Sequence, residues 1–151
     1  MYQAIDIARY IINWYRKNNM PISNLKLQKL LFFVQAECLV DSQLHSACFS
    51  DDIEAWKYGP VVPSVFRAFS NYLSGPILSS VEPNILPEGR YKIIIDKVIN
   101  RYIDYDAWRM VELSHQETVW INAYYQDDNI NSIIDKEEIV KNYHSKVLDY
   151  E

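Results

Sequence analysis

Residues 24–40, NLKLQKLLFFVQAECLV, form the stretch of sequence that decides the fold. Apolar side chains occupy nearly every face of the helix that this stretch predicts, and a helix of that kind lies buried in the middle of a domain. One stripe of the helix contains Leu27, Leu30, Leu31, Val34 and Cys38. Ser23 or Asn24 can cap its first turn, because either side chain accepts a hydrogen bond from a free backbone amide. Lys26 and Lys29 lie three residues apart and are expected to project a basic edge from the first turns.

The sequence on either side of this helix predicts further helices and one small β element. Apolar residues recur every three or four positions from Tyr2 to Lys17, which indicates an amphipathic helix that ends before Pro21. Two apolar segments flank a polar turn at residues 50–52 and predict a β-hairpin around residues 44–58. Five more helices are predicted, at about 63–73, 91–102, 105–113, 117–126 and 136–148. We therefore expect one mainly α (α+β) domain over residues 1–151, a compact multi-helix domain with that hairpin.

Composition narrows the class of protein. Of the 151 residues, 49% are hydrophobic, which is typical of a globular domain. The formal net charge of −5 argues against nucleic acid as a partner. No apolar run approaches the roughly 18–20 residues that a membrane span needs, so no membrane contact is expected. The first residues lack the layout of an export signal, and two cysteines are too few for a disulfide framework. These features predict a cytoplasmic protein.

The residue types of a hydrolase are present in one place, but their spacing argues against catalysis. Ser114, His115 and Glu117 could supply a nucleophile, a base and an acid, yet side chains this close along a helix point in different directions. The alternative is structural, with Ser114 capping a helix and Glu117 completing a capping box. A small hydrolase using His115 and Glu117 is therefore the least favoured hypothesis. We predict no catalytic residue. Three glycines in isolation also cannot build a phosphate-binding loop.

A metal site is the other chemical possibility. Cys38, His45 and Cys48 fall within eleven residues, but no CxxC pair is present. Cys38 lies on the apolar stripe, where a neutral thiol behaves as a small hydrophobe. We predict neither a metal nor a cofactor.

Aromatic residues are abundant, with 12 tyrosines and 4 tryptophans. One group of them surrounds the turn Tyr58-Gly59-Pro60 and contains Trp56, Tyr58, Phe66, Phe69 and Tyr72. This group could form part of the core, or Trp56 and Tyr58 could form a rigid contact surface beside the turn. The two interpretations stay equally open at this point.

Two long motifs resemble the Panacea domain, which is also described as SocA-like or as a phage-associated domain of unknown function. Residues 22–33, ISNLKLQKLLFF, are similar to its ISxLKLQKLLYF helix, and residues 49–63 are similar to its F-x-D-x-IEAWxYGPVxP segment. A weaker block over residues 113–123 has Val119 where the family pattern has Pro. The resemblance extends from about residue 4 to residue 143. The motif positions matched here are Leu27, Gln28, Lys29, Leu30, Glu54, Trp56, Tyr58, Gly59, Pro60, Glu117 and Trp120.

The resemblance implies an antitoxin that binds and neutralises a cognate protein toxin, usually encoded by the adjacent gene. A second possibility that it implies is an adaptor that delivers the toxin to a host protease. Neither activity needs a catalytic residue. A net charge of −5 suits a basic toxin that acts on RNA or the ribosome.

The residues expected to contact the toxin are few. They are Lys26, Lys29, Trp56, Tyr58 and Tyr72, together with the loop over residues 74–89. The family motifs themselves are expected to maintain the fold, because a domain that serves unrelated toxins keeps its core and varies its surface. In particular, Glu54 is expected to form an internal polar pair with Lys26 or Lys29.

Overall fold

The computed structural model describes residues 1–79, 81–126 and 131–147, and this part of the chain is mainly α-helical. Its helices are α1 (Ala4–Lys17), α2 (Asn24–Val40), α3 (Pro63–Ala68), α4 (Gly89–Arg101), α5 (Ala107–His115), α6 (Thr118–Tyr125) and α7 (Lys136–Asn142). Strands β1 (Glu54–Trp56) and β2 (Gly59–Val61) form a small antiparallel sheet. The predicted fold class is confirmed. None of the described helices combines the length and the apolar character that crossing a membrane requires.

Helix α2 lies at the centre of the molecule, as its sequence predicts. It packs against α1, α4, α5, α7 and β2, and 15 of its 17 residues are buried. The Ser23 side chain caps it by accepting a hydrogen bond from the Lys26 amide at 3.2 Å. Phe33 packs against Tyr102 at the end of α4, with tilted rings whose centroids lie 4.9 Å apart. A ring of helices around one apolar helix therefore forms the core.

Buried polar side chains of α2 also bind segments that follow it. The Glu37 carboxylate accepts hydrogen bonds from the Tyr143 hydroxyl at 2.6 Å, the Ser145 hydroxyl at 2.6 Å and the Lys146 amide at 2.8 Å. Helix α7 consequently ends at Asn142 instead of continuing to residue 148 as predicted, because the chain turns there to reach Glu37. Residue 148 itself lies outside the described residues.

The hairpin lies later in the chain than its predicted position at residues 44–58. Glu54 pairs with Val61 and Trp56 with Gly59, and Lys57 and Tyr58 form the two-residue turn. Residues 44–49 do not form the first strand, because the amide group of Gln35 binds the backbone of Cys48 and Phe49 and Tyr2 forms an isolated bridge with Phe49. Its Oε1 accepts from the amides of Cys48 at 2.8 Å and Phe49 at 3.2 Å, and its Nε2 donates to the Phe49 carbonyl at 2.8 Å.

Candidate functional site

The hairpin turn and the residues that follow it are bound by two side chains of α2. Lys29 Nζ donates to the Pro60 carbonyl oxygen at 3.0 Å, and Gln28 Oε1 accepts from the Val62 amide at 2.9 Å. The other end of the Gln28 amide donates to Asn24 Oδ1 at 2.9 Å, which fixes its orientation. The two long sequence motifs are therefore joined directly, since the polar residues of the first bind the backbone of the second.

Helices α5 and α6 hold the opposite side of the turn. The Trp120 indole donates to the Trp56 carbonyl oxygen at 2.9 Å, and His115 Nε2 lies 2.9 Å from the Lys57 carbonyl oxygen. Because a carbonyl oxygen only accepts, this contact puts the ring hydrogen on Nε2. The His115 ring also stacks on Trp120, with centroids 4.2 Å apart. Side chains from three helices therefore fix the hairpin backbone before any partner arrives.

Lys29 is the most unusual of these residues, because its side chain has no exposed surface. Among the described residues no carboxylate lies within ion-pair distance of its ammonium group, so burial lowers the pKa of Lys29 from 10.5 to about 7. The predicted pairing of Glu54 with Lys26 or Lys29 is wrong. Glu54 accepts instead from the Trp56 indole at 2.9 Å, and Lys26 Nζ lies 3.4 Å from the Ile103 carbonyl oxygen.

Gly59 has no room for a side chain. Its φ of +106° lies in the region that favours glycine, and a Cβ placed there would come within 2.8 Å of Lys29 Cε and 2.5 Å of Ser114 Oγ. The turn therefore packs directly on the buried lysine, and the close approach depends on the glycine.

Two large aromatic side chains are exposed beside this fixed turn. Tyr58 is 48% exposed and Trp108, in the first turn of α5, is 57% exposed. Their rings meet edge to face at 5.3 Å, and Lys57 Nζ lies 5.5 Å from the centre of the Tyr58 ring. We call Tyr58 and Trp108 the aromatic pair. The sequence predicted a contact at Tyr58 but not at Trp108, which is a single tryptophan near the start of a predicted helix.

The other expected contact residues have different environments. Lys29 is fully buried and presents no surface to a partner in this structure, and Lys26 is only 6% exposed. Trp56 is half-buried with its ring 5.1 Å from that of Phe66, so part of this group belongs to the interior. Tyr72 is also half-buried.

The loop over residues 74–89 has an exposed apolar surface but is attached to α1. The Asn84 amide donates to Asp6 Oδ1 at 2.8 Å, and the Asn13 side chain donates to the Val81 carbonyl at 3.0 Å. Residue 80 lies outside the described residues. Exposed apolar side chains in this loop are Leu78, Val81, Ile85 and Leu86.

Comparison with known proteins agrees with this arrangement. A family model described as antitoxin SocA-like, Panacea domain, matches residues 27–121. The chain belongs to this family. The matched residues run from α2 through the hairpin to α6, so they include every side chain that binds the turn.

Antitoxin SocA of Caulobacter vibrioides (strain NA1000 / CB15N) is 41% identical over 71 residues, which cover 45% of this chain and 37% of that protein. The match thus spans little more than a third of the relative's length. No solved structure is significantly similar to this chain.

In this SocA-like protein the hydrolase residue types do not assemble. Ser114 Oγ is buried and donates to the Val111 carbonyl at 2.8 Å, while His115 binds the hairpin. Glu117 lies 3.4 Å from Lys146 Nζ, and burial raises the pKa of its carboxyl group. The capping alternative is also wrong, because Ser114 lies inside α5 and α6 begins at Thr118. Each of the three side chains therefore has a separate structural contact: Ser114 within α5, His115 with the hairpin and Glu117 with Lys146.

The two cysteines lie together in the core as free thiols. A hydrogen bond with Cys48, together with burial, raises the pKa of the Cys38 thiol far above its usual range. Within the described ranges, no three His, Cys, Asp or Glu side chains are grouped as metal ligands would be. The thiols therefore act as small apolar side chains in this part of the molecule.

Proposed function

We propose that this chain is a cytoplasmic, non-catalytic antitoxin that neutralises a cognate protein toxin by direct binding, with the aromatic pair at the centre of the contact. Membership of the SocA-like antitoxin family supports the general role. The observation that carries the finer proposal is the exposure of Tyr58 and Trp108 on a turn whose backbone is already fixed.

The physical argument concerns the cost of binding. Ordering a flexible loop at an interface consumes binding free energy, whereas a turn that is already held loses little on association. Tyrosine and tryptophan are the side chains that most often dominate interface energies when they enter a partner's pocket. The aromatic pair combines both properties, because Lys29, His115 and Trp120 hold the backbone beneath it.

Charge supports the class of partner. The net charge of −5 favours association with a basic protein. Toxins that act on RNA or the ribosome are often basic, because their target is negatively charged. Charge complementarity of this kind mainly raises the association rate and disfavours wrong partners. Contacts of the aromatic pair would then account for most of the slow dissociation of the complex.

A growth-rescue test with copurification examines this proposal. The neighbouring open reading frame is induced alone and together with this chain, and the two products are then purified together. A double variant, Tyr58→Ala with Trp108→Ala, is compared with Ile93→Ala on α4, whose side chain is similarly exposed at 47%. Thermal unfolding of all three proteins checks that the fold is retained.

We expect rescue of growth and a stable complex with the wild-type chain and with Ile93→Ala. Removing two interface aromatics should weaken binding by at least about tenfold in the double variant. Relief of toxicity that requires a host protease and removes the toxin would instead favour the adaptor mechanism. Equal binding by the double variant would exclude the aromatic pair as the contact.

A further inference from the structure

Four exposed side chains at the hairpin turn and the start of α5 carry hydrogen-bond donors that no group of the described residues accepts. We call them the donor group. They are the Lys57 ammonium group, the Tyr58 hydroxyl, the Trp108 indole N–H and the Arg109 guanidinium group. Two of them belong to the aromatic pair, so the donors lie at the surface proposed as the contact. A partner that covers this surface must supply acceptors for the donors that it removes from water.

Two of the donors also carry a positive charge. Lys57 Nζ lies 5.5 Å from the centre of the Tyr58 ring, and Arg109 Cζ lies 3.8 Å from the centre of the Tyr105 ring. Neither cation forms an ion pair within the described part of the chain. Stacking uses the face of a guanidinium group, so the N–H groups of Arg109, which point in its plane, stay available. Both cations can therefore donate to a partner beside the aromatic pair.

Exposed acidic residues lie on either side of the donor group along the chain. Asp104 and Asp106 precede α5, and Glu112 lies about one helical turn after Trp108. The Asp106 carboxylate caps α5 by accepting from the Arg109 amide at 2.8 Å, so one of these acids already has a structural contact. The surface thus combines a positively charged centre rich in donors with an acidic surround.

This distribution of charge identifies the complementary group on the partner. A carboxylate matches the centre best, because it only accepts hydrogen bonds and its charge strengthens those from lysine and arginine. A backbone carbonyl also accepts, but it leaves both positive charges without a counter-charge. The repeated phosphates of a nucleic acid match the centre but are repelled by the acidic surround. The surface therefore fits a single acidic spot on a protein.

The net charge of −5 and this positive centre act at different stages of association. Salt screens charges beyond about 8 Å at physiological ionic strength, so the few charges of the centre matter at contact, whereas the net charge steers the approach. Like charges that meet at contact are unfavourable, and this fixes the orientation of a complex. An acidic antitoxin with a positive centre can therefore attract a basic toxin and accept it in one orientation.

We propose that the aromatic pair receives an acidic spot on the surface of an otherwise basic toxin, where carboxylate side chains accept hydrogen bonds from the donor group. This inference rests on the proposed function, because it names the chemistry of the toxin at the same contact. It adds a prediction that net charge alone does not make, since removing positive charge from the donor group should weaken binding to a basic protein.

Charge reversal tests the inference with the full chain. The contact variant combines Lys57→Glu with Arg109→Glu, and the matched control combines Lys17→Glu with Lys141→Glu at exposed positions of α1 and α7. Each reversal subtracts two charges, so both variants go from a net charge of −5 to −9. Glutamate at the position of Arg109 suits the first turn of α5, which favours a folded contact variant. Thermal unfolding checks both variants.

The affinity of each variant for the copurified toxin is measured by calorimetry at about 0.15 M salt. We expect at least about tenfold weaker binding by the contact variant, because its glutamates face the carboxylates of the toxin. The control should bind as tightly as the wild type or more tightly. Equal affinities of the two variants, whether raised or lowered, would show that only total charge matters and would overturn the inference.

A second variant tests the uncharged donors. Tyr58→Phe with Trp108→Phe keeps an aromatic ring at each position and removes the hydroxyl and the indole N–H. We expect at least about threefold weaker binding of the toxin. Unchanged affinity would show that the aromatic pair binds by apolar contact alone and would overturn its part in the donor group.

Two outcomes separate this inference from the proposed function. A toxin complex that tolerates the contact variant would overturn the inference and leave the function standing, whereas no complex with the wild type would overturn both. Saturable binding of a single-stranded polyuridine RNA that the contact variant loses would identify phosphate as the acceptor and overturn the assignment to a protein carboxylate.

Discussion

Replacing Lys29 with methionine should change the stability of this protein in opposite directions at low and high pH. Methionine has a similar length but no charge, so it removes the buried ammonium group and keeps most of the packing. It also leaves the Pro60 carbonyl oxygen without the hydrogen bond that Lys29 now donates at 3.0 Å. The variant therefore separates the cost of burying a charge from the benefit of one hydrogen bond.

The size of the effect follows from the pKa of Lys29. Burial lowers it from 10.5 to about 7, and each pKa unit corresponds to about 1.4 kcal/mol, so charging the buried group costs about 4–5 kcal/mol. The folded state binds fewer protons than the unfolded state between pH 7 and 10.5. The cost is therefore fully present below pH 7 and disappears as the pH rises towards 10.5. The unpaired carbonyl in the variant costs about 1–3 kcal/mol at every pH.

The assay is urea unfolding of the wild type and of Lys29→Met from pH 6 to pH 10. We expect the variant to be more stable by about 1–4 kcal/mol at pH 6, and less stable by up to about 2 kcal/mol at pH 10, where about 1 kcal/mol of the charging cost remains. Lys141→Met, at an exposed position of α7, is the control and should track the wild type throughout. A difference between Lys29→Met and the wild type that does not vary with pH would refute the reasoning.

Two further substitutions test the contacts that hold the hairpin and the C-terminal segment. Gly59→Ala should lower the free energy of unfolding by about 3 kcal/mol in urea titrations, because positive φ and a close contact act together. Gly89→Ala, with a φ of +61° but nothing within 4 Å of the added Cβ, should cost only about 1 kcal/mol, and equal losses would rule out the contact. Glu37→Gln should cost about 1–2 kcal/mol, because the amide oxygen can still accept from Tyr143 and Lys146 but the negative charge that strengthens these hydrogen bonds is lost. Faster amide hydrogen exchange at residues 143–147 in that variant would locate the loss, and unchanged exchange would contradict it.

The helices at the start of the chain could be predicted because their signals are local. The apolar spacing of residues 2–17 and the polar residues after Lys17 are properties of neighbouring residues, and α1 ends at Lys17 as expected. The apolar character of residues 24–40 likewise predicts both the extent of α2 and its central burial. Capping by Ser23 follows the same kind of short-range rule.

The hairpin position and the role of Lys29 depend on partners distant in sequence. Residues 44–49 have a pattern that suits a strand, but Gln35 binds the backbone groups of Cys48 and Phe49, and no local pattern indicates this. Lys26 and Lys29 look like one basic edge, yet the carbonyl of Pro60 receives Lys29 in the core. Tyr58 and Trp108 are 50 positions apart in the sequence, so no local pattern could predict that their rings are in contact.

The most direct test of the account uses purified components without any protease. The toxin candidate from the neighbouring open reading frame is assayed on its own target with increasing amounts of this chain, of the double variant Tyr58→Ala with Trp108→Ala, and of Ile93→Ala. Neutralisation by binding predicts inhibition at stoichiometric amounts by the wild type and Ile93→Ala, and at least about tenfold weaker inhibition by the double variant. A toxin that stays fully active beside excess wild-type chain would contradict neutralisation by binding.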